Sequence, residues 1–407
     1  MGKKLPFNVK QLIEMDGCSR CEICTENCSL YKLIGSNPHP LKLPTSCAVV
    51  IRGFRSLLRD RHGLKAKLLG SQNRSDEKIW NVAESLFLHC SVCGRCSLYC
   101  PLSIDTTELI IAMREYYIDF LSNSHCSVEF ITMIYDLIEK HKNVFGIDNS
   151  MRADWPLYTG AEVRVKNSAD TVYFVGCVSA FQGRAQDIAS AISTILNTAN
   201  EDWTVLEDEW CCGHPITVSG GSKRALEMAK HNIELIESIG AKRVVTGCPG
   251  CYLALKNEWP KLTNRELEFE VLHITELLNK YIEDGGLNIP KIEADITYHD
   301  PCELGRLGGV IKEPRKILKL MTDRFIEPVG SGIEGICCGS GGLLKALNPT
   351  LNEQLGVKRL DMLRNTGAKI IVSACPTCIQ AFEQAARVSS NHVRIMDIAE
   401  LIAENLS

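Results

Sequence analysis

No apolar run in this chain is long enough to cross a bilayer. The 407 residues contain no stretch of eighteen or more uncharged apolar residues. The best candidate, around Leu109 to Leu121, is interrupted by Arg114, Glu115 and Asp119. A transmembrane segment is therefore not expected. A marked excess of one charge sign is lacking as well. A net charge of −4 gives no global reason to expect nucleic acid or anionic lipid as a partner. The opening residues, MGKKLPFNVKQLIEMDGC, are partly basic but have neither an apolar core nor a small-residue cleavage site, so no signal peptide is expected. Hydrophobic residues at 45% and charged residues at 23% describe a soluble globular protein, long enough for two or three domains.

What is abundant is cysteine, with 20 residues. Such density can mean a disulfide framework, but that belongs to small secreted domains. A long chain with ample apolar residues and no export signal points to metal ligation in a reducing cytoplasm.

Half of these cysteines form one five-cysteine pattern written twice. The first copy is Cys177, the adjacent pair Cys211 and Cys212, then Cys248 and Cys251. The second is Cys302, the pair Cys337 and Cys338, then Cys375 and Cys378. Five thiolates exceed what a tetrahedral zinc or an ordinary four-iron cubane takes. The count implies a cluster with an extra, bridging sulfur, and an open or distorted one could present an iron to a substrate sulfur.

The surroundings repeat too. Residues 171–176, TVYFVG, run into Cys177, and residues 295–301, DITYHDP, run into Cys302. Residues 241–247 and 368–374 lead likewise into Cys248 and Cys375. These read as short buried strands, each delivering a cysteine at its C-terminal end. Between them, Ile188, Ile192, Ile195 and Ala199 share one helical face, as do Leu226, Ala229, Ile233, Ile236 and Ile239. Alternating strands and helices predict parallel α/β units, whose strand C-termini gather into one site. Residues 146–170 read as a linker.

The N-terminal section is helical, with periodic apolar residues at Leu109, Met113, Tyr116, Tyr117 and Phe120, and another helix near 128–141. Cys18, Cys21, Cys24 and Cys28 form C-x2-C-x2-C-x3-C, and Cys90, Cys93, Cys96 and Cys100 repeat it before Pro101. This is the run of two-cluster ferredoxins, in which the fourth cysteine of each run serves the other cluster. One cubane is thus expected on Cys18, Cys21, Cys24 and Cys100, and the other on Cys90, Cys93, Cys96 and Cys28. Ser29 stands where the pattern usually has proline, which softens the local turn and removes no ligand. Two zinc sites would need only paired cysteines at longer spacing. Cys47 and Cys126 match neither pattern and read as structural thiols. The basic stretch from Lys42 to Lys78 reads as a solvated helical face, with a docking surface for an acidic partner as the alternative.

Gly213 and Gly339 follow the two cysteine pairs, and Ser-Gly-Gly recurs at 219–221 and 340–342. Glycine lets amides approach cluster sulfides, so Gly213 and Gly339 are candidate cofactor-binding positions. His214 and His299 sit beside candidate ligands and are candidate proton donors, with a structural role as the alternative. Arg306 and Lys345 are candidates for an anionic substrate.

The pattern Cys…Cys-Cys-Gly…Cys-x-x-Cys, doubled and preceded by a double ferredoxin run, resembles the iron–sulfur subunits of heterodisulfide reductase. The similarity is greatest to the D-type subunit, a fusion of a C-type part with a B-type part. It covers nearly the whole chain and rests on residues 174–177, 210–215, 299–306, 337–342 and 375–378. The resemblance implies an α+β multi-domain protein. A helical ferredoxin-like domain with two [4Fe-4S] cubanes would span 1–150. Two tandem α/β cysteine-rich (CCG) domains would span 170–290 and 293–407. Each CCG half would hold a noncubane [4Fe-4S] cluster, on Cys177, Cys211, Cys212, Cys248 and Cys251 and on Cys302, Cys337, Cys338, Cys375 and Cys378. Electrons would pass through the cubanes to reduce or form a disulfide. Implied partners are a flavin-containing A-type subunit or a membrane cytochrome b-type subunit, with a cytoplasmic location at the inner face of the membrane through that partner. The alternative is a relay without its own substrate, linking a flavin or quinone-linked partner to another oxidoreductase, as in a class II benzoyl-CoA reductase type complex. A zinc scaffold is a third reading.

Overall fold

The computed structural model describes residues 5–34, 47–63, 82, 84–121, 126–389 and 393–406. Of the basic stretch only 47–63 is described; Lys42 and the lysines and arginines beyond residue 63 lie outside the described residues. The surroundings of Cys126 also lie outside them. The architecture is α+β, with helices around two small parallel sheets. Two compact units divide the chain. The N-terminal unit comprises 1–132 together with two later excursions, 218–221 and 339–355; the C-terminal unit comprises 133–217, 222–338 and 356–407.

The N-terminal unit is helical because its apolar residues recur at three- and four-residue spacing. Helix Thr106–Leu121 buries Leu109, Met113, Tyr116 and Tyr117. Phe54, from helix Cys47–His62, meets Phe7, Tyr116 and Tyr117 edge-on at 5.2–5.5 Å. Each such aromatic side chain contributes about 2–3 kcal/mol by burial. Helix Val9–Gly17 begins at a reciprocal cap, in which Asn8 Oδ1 accepts from the Gln11 amide and Gln11 Oε1 from the Asn8 amide. The excursion 339–355 joins this unit through Leu344, Leu351 and Leu355, which pack with Leu30.

The C-terminal unit holds both sheets. Strands β1 (Thr171–Tyr173), β2 (Trp203–Val205), β3 (Arg243–Thr246) and β4 (Glu270–His273) form the first, in the order β2-β1-β3-β4. Strands β5 (Ile296–His299), β6 (Phe325–Ile326), β7 (Ile370–Ser373) and β8 (Arg394–Asp397) repeat that order as β6-β5-β7-β8. All pairings are parallel; Val172 sits opposite both Thr204 and Val244, and Thr297 opposite both Ile326 and Ile371. The central strands β1, β5 and β7 are buried at every residue, as parallel strands covered on both faces must be. Helices Gly183–Thr198 and Ser222–Ile239 bury the apolar faces read from the sequence. Because the strands are parallel, Cys177, Cys248, Cys302 and Cys375 all follow the C-terminal ends of strands.

Residues 146–170, expected to be a linker, contain a 3-10 turn, Asn149–Ala153, and a short helix, Trp155–Thr159. Trp155 is buried against Tyr173 of β1. Among the described residues, no helix is long and apolar enough to cross a membrane.

Candidate metal centres

The two ferredoxin runs build the same loop. Arg20 and Glu22 in the first have φ of 63° and 62°; Val92 and Gly94 in the second have 54° and 73°. A non-glycine residue in this left-handed region costs about 1–2 kcal/mol. Three of them in two short loops mark a backbone held for a purpose other than its own preference. In the second loop the Val92 amide donates to Cys90 Sγ at 3.4 Å. Single helical turns, Ile23–Glu26 and Arg95–Leu98, then carry the third cysteine of each run. Cys18, Cys21, Cys24 and Cys100 line one cavity. Cys28, Cys90, Cys93 and Cys96 line another. Each run thus lends its fourth cysteine to the other run's cavity. Arg95 links the runs, donating from Nε to the Asn27 carbonyl at 2.9 Å.

Cys47 is not the isolated thiol its spacing suggested. It lines the second cavity and is hydrogen-bonded to Cys24 and Cys96. These bonds are the main cause that draws Cys24 down to about 6 and holds Cys96 below the ordinary thiol range. Cys47 itself is pushed well up, first by the same bonds and then by burial. No sequence signal marks it, because it stands far from both runs. Burial pushes Cys90 up to about 12, with the Arg114 guanidinium opposing.

In the first repeat the five thiols form a continuous chain. Cys177 bonds with Cys211, Cys211 with Cys212, Cys212 with Cys251, and Cys251 with Cys248. Glycine keeps the space beside them clear. A Cβ on Gly176, at φ +77°, would lie 2.9 Å from Cys251 Sγ. Gly213, at φ +86°, turns its amide toward Cys211, and a Cβ there would press on Ala225. In the second repeat Cys302 and Cys337 lie 3.8 Å apart and Cys338 and Cys378 3.2 Å apart. The Cys378 amide donates to Cys375 Sγ at 3.4 Å. Gly339 has φ +95° and packs under Leu355.

The side chains around the two sets differ. A buried ion pair joins Arg152 to Glu209 at 2.8 Å, and the same guanidinium donates to Cys177 Sγ at 3.4 Å. Glu209 also accepts from the amides of Val175 and Gly176. Burial raises Glu209 to about 7 against the pull of Arg152. Neither residue stands out in the sequence: Arg152 lies in the stretch that reads as a linker, and the position matching Glu209 in the second repeat is Gly335.

His299 is fully buried, and its Nδ1 accepts from Arg359 Nε at 3.3 Å. That bond puts the proton on Nε2. Burial first, and the charge of Arg359 second, hold the ring uncharged. A ring nitrogen of His299 lies within 4.8 Å of the sulfurs of Cys338 and Cys378. His214 is the opposite case. Its Nδ1 meets Glu258 at 2.6 Å and its Nε2 meets Glu303 at 3.3 Å. Burial opposes its charge, but the two carboxylates outweigh burial and raise it well above the usual imidazole range. Glu303 follows Cys302, and its charge reaches both Cys248 and Cys375, which also influence each other. The closing turns of the two thiol sets are therefore neighbours. Arg306 donates to the carbonyls of Ile333 and Gly335, holding the loop that leads to Cys337. Lys345 is exposed on the short helix Leu344–Leu347.

Soft thiolates in groups of four and five, with amides aimed at sulfur and side-chain volume withheld, are donor sets suited to iron–sulfur clusters. The fold and these sets define a class, iron–sulfur redox proteins that join a dicluster domain to doubled cysteine-rich domains. Comparison with known proteins agrees. Residues 14–104 match the family described as 4Fe-4S dicluster domain, and residues 171–256 and 296–383 each match the one described as Cysteine-rich domain. The D-type subunit of the dihydromethanophenazine:CoB–CoM heterodisulfide reductase of Methanosarcina barkeri is 33% identical, over 97% of this chain and 95% of that protein. The EtfAB:quinone oxidoreductase of Syntrophomonas wolfei is 26% identical, over 97% of this chain but 59% of that protein. A crystal structure of a hypothetical protein from Helicobacter pylori shares the fold, with a TM-score of 0.56 at 11% identity, covering 92% of this chain and 71% of that one. The chain belongs to the family of heterodisulfide reductase D-type subunits. It is an iron–sulfur protein with a redox role and [4Fe-4S] clusters.

Proposed function

We propose that this chain is the disulfide-handling subunit of a larger redox complex. In this reading Cys18, Cys21, Cys24 and Cys100 hold one cubane, and Cys90, Cys93, Cys96 and Cys28 the other. The two five-thiol sets hold one noncubane [4Fe-4S] cluster each. The ferredoxin-type domain spans 1–150, and the two CCG domains span 170–290 and 293–407. When bound, the clusters supply the two electrons that a disulfide takes up, with two protons, to become two thiols.

The observation that carries the reading is the meeting of both five-thiol sets at one polar cluster. Cys248 and Cys375 are electrostatic neighbours, and His214 is held between Glu258 and Glu303 beside them. Flanked by two carboxylates, His214 keeps a proton on each ring nitrogen and is the proton donor of choice. His299, uncharged and tied to Arg359, serves as a neutral hydrogen-bond donor instead. Gly213 and Gly339 keep the backbone close to the cofactors. The substrate class is a mixed disulfide of two small thiols. The partners are a flavin-containing subunit or a membrane cytochrome b-type subunit, and the complex works in the cytoplasm, at the inner face of the membrane where that cytochrome anchors it.

Anaerobic analysis should find about sixteen irons and as many sulfides per chain, four clusters of four; stoichiometric zinc would sink the reading. Reduced protein titrated with a mixed disulfide should be reoxidised and release two thiols per disulfide. A chain with all its clusters that leaves every disulfide untouched would be a relay. The likeness to EtfAB:quinone oxidoreductase favours that second reading.

A further inference from the structure

In the sequence Arg114 is only a charge that interrupts an apolar run. In the structure it is completely buried, in the middle of helix Thr106–Leu121. Nε donates to the Leu86 carbonyl at 3.2 Å, and one terminal nitrogen to Leu86 at 2.6 Å and to Cys90 at 2.8 Å. The other terminal nitrogen donates to the carbonyls of Val218 at 2.8 Å and Gly342 at 3.1 Å. These five bonds use all five donors of the guanidinium fork. All five go to neutral backbone carbonyls.

The four acceptors come from three separate stretches of chain. Cys90 opens the second ferredoxin run, and Leu86 lies four residues before it. Val218 lies six residues beyond Cys212, and Gly342 four residues beyond Cys338. The two excursions that complete the N-terminal unit are thus the loops following the two vicinal cysteine pairs, and one side chain receives both. Glycine permits the approach. A Cβ on Gly220, at φ +96°, would lie 2.4 Å from the Glu115 amide nitrogen; one on Gly342, at φ +59°, would lie 2.8 Å from the carbonyl carbon of Ser91. This accounts for one glycine in each Ser-Gly-Gly, the second residue of 219–221 and the third of 340–342.

We propose that Arg114 is a positioning residue for electron transfer. It ties the Cys90 loop to the outgoing loop of each vicinal pair, and it places a permanent positive charge behind a cubane ligand. One electron leaves that cubane, which is oxidised, and reduces a cluster of the cysteine-rich repeats. No bond changes at Arg114 and no proton moves, because a guanidinium does not titrate. Lysine cannot substitute, since three donors on a point charge cannot span four carbonyls in the plane of the fork.

The inference rests on the proposed assignment of thiols to clusters, and its test avoids the disulfide. Full-length wild type, Arg114→Lys and Arg114→Met are compared anaerobically for iron content, for the midpoint potential of each cubane by paramagnetic resonance, and for the rate at which dithionite-derived electrons reach the cysteine-rich repeats. Arg114→Met should move one cubane to a more negative midpoint and slow electron arrival about 10- to 100-fold. Arg114→Lys should keep the midpoint and still slow the arrival. If Arg114→Met does not fold, Arg114→Lys alone decides. Full clusters with unchanged rates in the folded variants would overturn the proposal, and so would loss of all iron in both, which would make Arg114 only a folding residue. A wild type without cluster iron would instead sink the assignment of the thiols.

Discussion

Around Cys177 a cation sits within hydrogen-bond reach of the sulfur: Arg152 bonds Cys177 while paired to Glu209. In the second repeat the arginines work on other groups. Arg315 pairs with Asp300 at 2.7 Å, Arg359 holds His299 and the carbonyls of Val329 and Gly330, and Arg306 holds a loop. The group brought near sulfur there is an uncharged imidazole. Five thiols at nearly the same spacing are thus embedded once beside a charge and once beside a dipole. Two matching ligand patterns sit in different surroundings, with an ion pair beside the first and a neutral ring beside the second.

The largest effect should come from closing the space that only the first repeat keeps with glycine. Gly176→Val puts a branched side chain into Cys251 Sγ at a left-handed φ. It should remove one cluster, about a quarter of the iron, and leave the signals of the second repeat intact. Loss of both clusters would break the idea that the repeats fill independently. Next comes Arg152→Met, which leaves Glu209 a buried carboxylate without a countercharge, held only by the amides of Val175 and Gly176. Such a change costs about 3–5 kcal/mol. Arg315→Met should cost less, about 1–3 kcal/mol, because Arg315 is partly exposed and water already reaches its pair with Asp300, whereas Arg152 and Glu209 are both sealed from solvent. Anaerobic denaturation midpoints measure both, and equal losses would erase the contrast.

Much of this is legible in the sequence. Cys-x-x-Cys spacing and strand-like runs before Cys177, Cys248, Cys302 and Cys375 carry a strong local signal, and the sheets follow from it. Residues that act across the fold carry none. Arg152 sits in a stretch that reads as a linker because Gly146, Pro156 and Gly160 suggest turns, yet both Arg152 and Trp155 are buried. Cys47 has no spacing partner, and Arg114 looks like any charge on a helix. Each is defined by carbonyls or sulfurs tens to hundreds of residues away, which local periodicity does not encode.

The repeats also differ behind their last strands. His273 and Asp397 occupy matching caps, each with a reciprocal glutamate, on helices Ile274–Glu283 and Ile398–Ala403. Burial lowers His273 to about 3, against about 6.5 in the unfolded chain. Between those values the unfolded chain holds a proton that the folded one does not. Stability from this group is complete above pH 6.5 and falls as the pH drops, by roughly 1.4 kcal/mol per unit. Asp397 is raised by burial, so it works the other way and loses stability as the pH rises above about 4. His273→Asn should flatten the acid slope of the denaturation midpoint between pH 5 and 6.5; an unchanged slope would place the proton elsewhere.

The smallest change is the one that makes the repeats most alike. Position 299 in the second repeat corresponds to 174 in the first, where phenylalanine stands. In His299→Phe the ring keeps its edge-on contact with Phe382, now at 4.7 Å, and Arg359 retains the carbonyls of Val329 and Gly330. Losing one buried hydrogen bond should cost only about 1 kcal/mol. What it removes is the imidazole beside Cys338 and Cys378. The paramagnetic signal and midpoint of the second repeat's cluster should therefore shift, toward a more negative value, while those of the first stay fixed. If neither moves, the imidazole does not reach the cluster, and the contrast between the repeats rests on Arg152 alone.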